Sequence, residues 1–217
     1  MRWTMWCVAG AVMAGLMGGA ACAGEGDFKP GEGWVKLFNG KDLTGWKFRG
    51  TNESWEVEDG VLANLREKDG KKRKGVDAYT EATFLDFKLH IEFKVPKGGN
   101  SGVYLRGRKE VQILDSYGKK KVGTGDCGGL YGKSAPKVNA VKPAGEWNAF
   151  DITIVGDTIT VYLNGQLIQD RVEVPGHTGG SLGGTPGTPG PVMLQGNHTT
   201  VWYRNIWAKP LPREETK

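Results

Sequence analysis

Glu110 and Gln112 stand two residues apart in the segment Glu110-Val111-Gln112-Ile113-Leu114-Asp115. In a strand, residues two apart share a face and their neighbours point the other way. With Val111 and Ile113 in a core, Glu110 and Gln112 face the open, concave side of a sheet. Asp115 has the opposite parity. It joins that side only through a bulge or by sitting just past the strand end. A Glu and an Asp on one groove wall are the raw material for acid–base chemistry on sugars. The plain alternative is a solvated strand face carrying two ordinary carboxylates. Arg106 closes the preceding segment, Asn100-Ser101-Gly102-Val103-Tyr104-Leu105-Arg106. Its planar donor fork suits a carboxylate partner or a substrate carbonyl or hydroxyl. The alternative there is a surface ion pair with Glu110. His198, in Gln195-Gly196-Asn197-His198, lies at a tight turn where an imidazole can reach a groove as base or ligand, or bond locally.

Other chemistries are not signalled. No HxH, HExxH or CxxC pattern is present, so a catalytic zinc site has no sequence support. The Gly-rich stretch Gly179 to Gly184 does not sit between a strand and a helix, which removes a nucleotide reading. Cys127, in Asp126-Cys127-Gly128-Gly129, has no basic neighbour in sequence and reads as a loop or buried thiol. The Trp residues after position 30 could stack on sugars or fill a core.

Short strands must position these groups. Phe87 to Val95 alternates apolar and polar residues without a break, as a strand with one buried face does, and puts His90 on the solvent or cleft side. Strands follow at Ser101 to Arg106 and Glu110 to Leu114. Phe150, Ile152 and Ile154 share one face, and Ile159, Val161 and Leu163 share the next. Asn164-Gly165 is a strong hairpin signal, because both positions accept positive φ. Val192 to Gln195 and Val201 to Trp207 supply later strands. No amphipathic helix of three turns is evident. Many short strands with Gly-rich turns predict an all-β, two-sheet antiparallel sandwich or jelly roll. Lys68 to Gly75 reads as a basic loop and His177 to Pro191 as a long irregular one.

The 217 residues are enough for one large domain with a sizeable core. The net charge of +5 is modest and spread along the chain, which excludes a disordered polyelectrolyte. The basic run Lys71 to Lys74 is one hydrophilic loop, so no nucleic-acid partner is expected. Arg2 is the only charged side chain before Glu25, and Trp3 to Gly24 is rich in Ala, Gly, Met, Val and Leu. This pattern predicts a secretory signal over residues 1–23, cleaved after Ala21-Cys22-Ala23. Gly19-Ala20-Ala21-Cys22 also resembles a lipoprotein box, with the signal ending at 21 and a lipid anchor on Cys22. Both readings export the protein, to the periplasm or beyond. Glycines dilute the segment as a retained transmembrane helix, and no second spanning stretch follows. The expected division is a linker at 24–32, one domain at 33–211 and a tail at 212–217.

Six ordered motifs carry a family resemblance. Leu37-Phe38-Asn39-Gly40-Lys41-Asp42-Leu43-Thr44-Gly45-Trp46 comes first, then Trp55 to Leu62, Asn100 to Arg106 and Glu110 to Asp115. Gly145-Glu146-Trp147-Asn148 with Leu163-Asn164-Gly165 follows, and the last motif is Gly190 to Gln195, running through His198 to Ile206. Together they resemble the bacterial 3-keto-disaccharide hydrolase domain across Gly33 to Leu211. One departure is Thr199 after His198, where the family commonly has Gly.

The resemblance implies a concanavalin-A-like jelly roll with a concave sugar-binding face, and a carbohydrate substrate, a glycoside oxidised at C3. A ketone at C3 acidifies the C2 proton, because the carbanion is an enolate. The C1 substituent then leaves by elimination, and water adds across the double bond. This needs a base near C2, an electrophile near the C3 oxygen and a proton donor to the leaving group. The resemblance makes Glu110 and His198 candidates for base and acid. Arg106 and Gln112 become candidate carbonyl and hydroxyl contacts. Asp115 would orient a partner or bind sugar, and Tyr131 and Gln195 would line the same face. A divalent metal ion with oxygen and His ligands could serve as the electrophile, although the spacing assigns it no residues. A lectin-like binding module without turnover, a structural partner in a surface assembly and a two-carboxylate glycosidase using Glu110 and Asp115 are the competing readings.

Overall fold

The computed structural model describes residues 28–212. The expected signal and lipid anchor at 1–23 and nearly all of the tail at 212–217 lie outside the described residues. In chain order the strands are β1 (Val35–Lys36), β2 (Trp46–Phe48), β3 (Trp55–Glu58), β4 (Val61–Asn64), β5 (Glu67–Lys68), β6 (Lys71–Lys72), β7 (Ala78–Phe84) and β8 (Phe87–Lys94). They continue as β9 (Asn100–Leu105), β10 (Lys109–Leu114), β11 (Asn148–Val155), β12 (Thr158–Leu163), β13 (Gln166–Glu173), β14 (Gly190–Leu194) and β15 (Val201–Pro210).

The strands build two antiparallel sheets packed face to face, the concanavalin-A-like jelly roll expected from the sequence. The larger sheet runs β13-β12-β11-β8-β15-β4-β3, with β1 added beside β15. The smaller runs β10-β9-β14-β7-β2. Residues of alternating parity fill the space between them. Leu89, Ile91, Phe93, Phe150, Ile152 and Ile154 come from the larger sheet and Val103, Leu105, Val111, Ile113, Val192 and Leu194 from the smaller, all essentially without exposure. Truncating any one of the large residues to Ala would cost about 2–5 kcal/mol. Asn164-Gly165 turns β12 into β13 with φ of 53° and 78°, the double positive φ that a two-residue hairpin requires.

Two readings are refined. Lys68 to Gly75 contains a small hairpin, β5–β6, rather than a plain loop, and Lys68 Nζ bonds Glu56 and Glu58 at 2.8 Å each. β8 is buried on both faces, not one. His90 and Glu92 lie on its outer side, yet Phe28 stacks on the His90 ring at 3.8 Å and Arg204 bonds Glu92 at 2.6 Å. Burial opposes its charge, yet hydrogen bonds from His90, Asn205 and Arg204 hold Glu92 down at about 2. No helix among the described residues is long and apolar enough to cross a membrane.

Candidate active site

The β9–β10 hairpin sets the first part of the site. Glu110 pairs directly with Tyr104, and Gln112 pairs with Gly102. Residues opposite each other in an antiparallel pair point to the same side, so these side chains share the outer face of the smaller sheet. Gly102 is needed for room. A Cβ there would stand 2.3 Å from Glu110 Oε1. Gln195 joins the group one residue past β14, its backbone N–H donating to Gly102 O at 2.9 Å.

Loops convert this face into a pocket. The segment after β10 folds back along the strand, with Gln112 N bonded to Gly129 O and Tyr131 N to Glu110 O, and so carries the Tyr131 ring to the rim. The Gly-rich loop between β13 and β14 lays Gly179 and Gly180 over the top. The turn after β14 brings Asn197 and His198. Thr199 anchors that turn, because its Oγ1 accepts from Asn100 N at 2.8 Å. The side chain found where the family commonly has Gly therefore ties the His198 turn to the start of β9. The resulting cavity, about 280 Å³, is lined by Asn100, Tyr104, Glu110, Gln112, Gln195 and His198 together with Tyr131 and the Gly179–Gly180 backbone.

The chemistry centres on Glu110, which is 3% exposed. Its Oε2 accepts from Tyr104 Oη at 2.8 Å. Burial pushes the carboxyl up to about 7. Tyr104's hydrogen bond opposes that rise, and the negative charge of Asp77 adds to it. A carboxyl so poised exchanges protons readily near neutral pH. Burial, with Glu110 beside it, pushes the Tyr104 phenol upward, so it stays protonated. Around this acid–base group stand three side-chain oxygens with no hydrogen-bond partner, Asn100 Oδ1, Gln112 Oε1 and Gln195 Oε1. Buried acceptors left unpaired are costly. Their grouping in one pocket suits a ligand rich in hydroxyl donors.

Of the sequence-selected residues, the structure brings together Glu110, Gln112, Tyr131, Gln195 and His198. Arg106 and Asp115 are elsewhere. Arg106 has a φ of 55°, which breaks the strand alternation at the hairpin and turns its side chain away from the pocket. Its guanidinium is buried against the Leu85 carbonyl, Asp86 Oδ1 at 3.0 Å and Gly156 O at 2.8 Å. This corrects the expectation that Arg106 reaches the site or pairs with Glu110. Asp115 lies past the end of β10, where its Oδ2 accepts from Gly98 N at 2.9 Å. It does not line the cavity. Tyr104 and Asn100 were missed. Both sit in the quoted motif Asn100 to Arg106, and Tyr104 has the parity of Gly102, so pairing Glu110 with Tyr104 across the short turn would have found it.

Neither of the two remaining nucleophile types is set up to react, and Cys127 is the buried thiol expected from the sequence. The Cys127 thiol is fully buried, and burial pushes it up to about 12, so it is inert. Gly179-Gly180-Ser181-Leu182-Gly183 has the spacing of a serine nucleophile elbow, but no helix follows it and Ser181 Oγ meets His177 Nδ1 only at 3.5 Å. Among the described residues, no group of three or more His, Cys, Asp and Glu side chains gathers as a metal site would require.

A jelly roll with a buried carboxyl in a hydroxyl-accepting pocket defines a carbohydrate-active type of protein. The chain belongs to the 3-keto-alpha-glucoside-1,2-lyase-like domain family, whose model matches residues 33–209. It is 24% identical to the 3-keto-disaccharide hydrolase of Bacteroides thetaiotaomicron, over 83% of this chain and 79% of that protein. It superimposes on a Parabacteroides distasonis protein provisionally described as a glycosyl hydrolase, with a TM-score of 0.68 and 33% identity, covering 83% of this chain and 84% of the other. The β-glucanase of Bacillus licheniformis shares the fold at a TM-score of 0.53 and 15% identity, over 82% of this chain and 97% of that one.

Proposed function

We propose that the protein cleaves 3-keto-glycosides, with Glu110 as the base that removes the C2 proton. The observation that carries this reading is the single buried carboxyl, poised at about 7, at the floor of a pocket lined by unpaired acceptors. A two-carboxylate glycosidase needs a second acid on the opposite wall. Asp115, the candidate for that role, is bonded to Gly98 N and lies outside the cavity lining. One base suffices when a neighbouring ketone acidifies the proton. The name of the Bacteroides relative points to the same substrate class.

The steps balance. The C2–H bond breaks and its proton passes to Glu110, while the electron pair enters the enolate shared with the C3 oxygen. The enolate collapses, the C1–O bond breaks, and the departing oxygen takes a proton from His198 at the exposed rim. Water then adds to C1, its second proton passing to His198, while Glu110, whose proton exchanges with solvent, delivers a proton to C2, so both groups return to their starting states. Asn100, Gln112 and Gln195 accept the sugar hydroxyls, and Tyr131 offers a ring face at the mouth. A cavity of about 280 Å³ has room for one sugar ring, which leaves the aglycone outside. The same reading makes residues 1–23 an export signal and 33–211 one catalytic domain acting outside the cytoplasm.

The test uses a matched pair of chromogenic glucosides, one with a 3-keto group and one without, assayed with and without a chelator. Release from the keto substrate alone, lost in E110Q, supports the reading. Equal release from both substrates overturns it, and release from neither with sugar still bound favours a lectin-like module. The chelator arm reports directly on any need for a divalent cation.

A further inference from the structure

We propose that Tyr104 couples the proton on Glu110 to the Gly-rich loop that roofs the pocket. A phenol has one proton to give and two lone pairs. Tyr104 Oη faces two acceptors, Glu110 Oε2 at 2.8 Å and the Gly179 carbonyl at 2.9 Å, and receives Gln195 Nε2 at 3.3 Å. It can serve only one acceptor at a time. When Glu110 is ionised, the carboxylate is the stronger acceptor and holds the phenolic proton. Gly179 O then loses its donor. When Glu110 carries a proton, that proton is donated to Tyr104 Oη, and the phenol turns its own proton to Gly179 O. The roof is latched in the second state and released in the first.

The loop is built for such local control. Its ends are fixed. Arg108 donates to Gly183 O, Thr188 O, Thr188 Oγ1 and Pro189 O, and Lys109 donates to the Val174 and Gly176 carbonyls. Closer in, Thr178 N and Leu182 N donate to the Arg108 and Gly107 carbonyls at 2.9 and 2.8 Å, so the stretch left between is short. There the Gly179 and Gly180 carbonyls rest on the Tyr104 hydroxyl and on exposed Arg49, whose Nη1 reaches Gly180 O at 3.3 Å. Gly180 has a φ of 76°, and a Cβ there would stand 2.6 Å from Tyr104 Oη, so the loop presses its backbone directly on the phenol. If Glu110 is the base proposed above, the roof is latched while Glu110 holds the substrate's proton and freed once that proton leaves. Tyr104 is thus a positioning residue. Its oxygen is engaged by these three neighbours, so it acts through Glu110 and the loop.

Other ionisable groups surround Glu110. Asp77 precedes β7, Tyr131 follows β10, His198 follows β14, and His177 lies in the loop itself with Nδ1 at 3.5 Å from Ser181 Oγ. A pH effect through any of these survives removal of the Tyr104 hydroxyl, whereas the latch does not.

The experiment is hydrogen–deuterium exchange of the peptide spanning residues 177–184 at pH 6 and pH 8, corrected for intrinsic exchange, without substrate. One hydrogen bond of about 1 kcal/mol makes wild type about fivefold more protected at pH 6. E110Q, whose amide donates to Tyr104 at both pH values, is expected to be protected at both. Y104F is expected to lose the difference, and the acidic limb of its activity to move to higher pH. Equal protection of wild type at both pH values, or a difference that persists in Y104F, overturns the latch. Should Y104F fail to fold, the wild-type pair and E110Q still decide. Because no substrate is present, failure of the latch is separable from failure of the proposed activity.

Discussion

Tyr104 and Glu110 are direct cross-strand partners, and the phenol donates to the carboxyl at 2.8 Å with both side chains almost fully buried. The pairing joins two opposing influences on one group. Desolvation raises the Glu110 carboxyl, and the phenol moderates the rise, leaving it at about 7. A base at that value is ionised enough to accept a proton at neutral pH and basic enough to take one from a carbon beside a ketone.

The pH dependence follows. A base must be ionised, so kcat/KM on a 3-keto-glucoside is expected to fall as pH drops below about 7. The fall approaches tenfold per pH unit. A pH–rate profile between 5 and 9 checks this, and a limb near the ordinary carboxylate range would contradict it.

Stability carries the opposite sign. The folded carboxyl sits at about 7 against 4.5 for the ordinary group, so the folded state binds the extra proton. Its contribution is fully present below 4.5 and is lost as pH rises through 7, by about 3 kcal/mol. E110Q has no such titration. Relative to wild type it is expected to gain about that much stability between pH 4 and pH 8, measured by urea unfolding.

Arg106 gives a contrasting expectation. Its guanidinium is buried and bonded to Asp86 and two backbone carbonyls. Arg106→Ala leaves a buried carboxylate without that partner and is expected to cost about 3–5 kcal/mol. Chemical denaturation should show this loss while kcat/KM of the folded protein stays near wild type. A selective loss of kcat at unchanged stability would instead return Arg106 to the site.

Gly102 tests the geometry of the wall. A Cβ added there meets Glu110 Oε1 at 2.3 Å, with Glu110 Cδ and Cγ at 3.0 Å. Gly102→Ala forces the carboxyl off its position and off Tyr104. Turnover is expected to fall by at least about tenfold, with a stability cost of about 1–3 kcal/mol. Steady-state kinetics and thermal unfolding separate the two effects.

Much of this was legible in the sequence, for identifiable reasons. Strict alternation from Val103 to Leu105 and from Val111 to Ile113 fixed which residues face the core, and so turned Glu110 and Gln112 to the other side. Alternation fails where the backbone leaves the strand. Sequence puts Arg106 at the site, whereas its positive φ, invisible in a residue type that rarely adopts it, turns the side chain elsewhere. Outward parity puts His90 on the solvent or cleft side. It does line a cleft beside Glu92 and Trp147, but its exposure is removed by the ring of Phe28, distant in sequence. The roof over the pocket depends on Arg108 and Lys109 reaching carbonyls some 65 to 81 residues away in sequence, which no local pattern announces.

The most direct measurement follows the C2 hydrogen. Wild type and E110Q would be given a 3-keto-glucoside in D2O, and the released sugar read by NMR against the enzyme-free background. Proton abstraction at C2 by Glu110 is expected to place deuterium at C2 in step with aglycone release, with both lost in E110Q. Release of aglycone with the C2 hydrogen retained, or unchanged release in E110Q, would contradict the account.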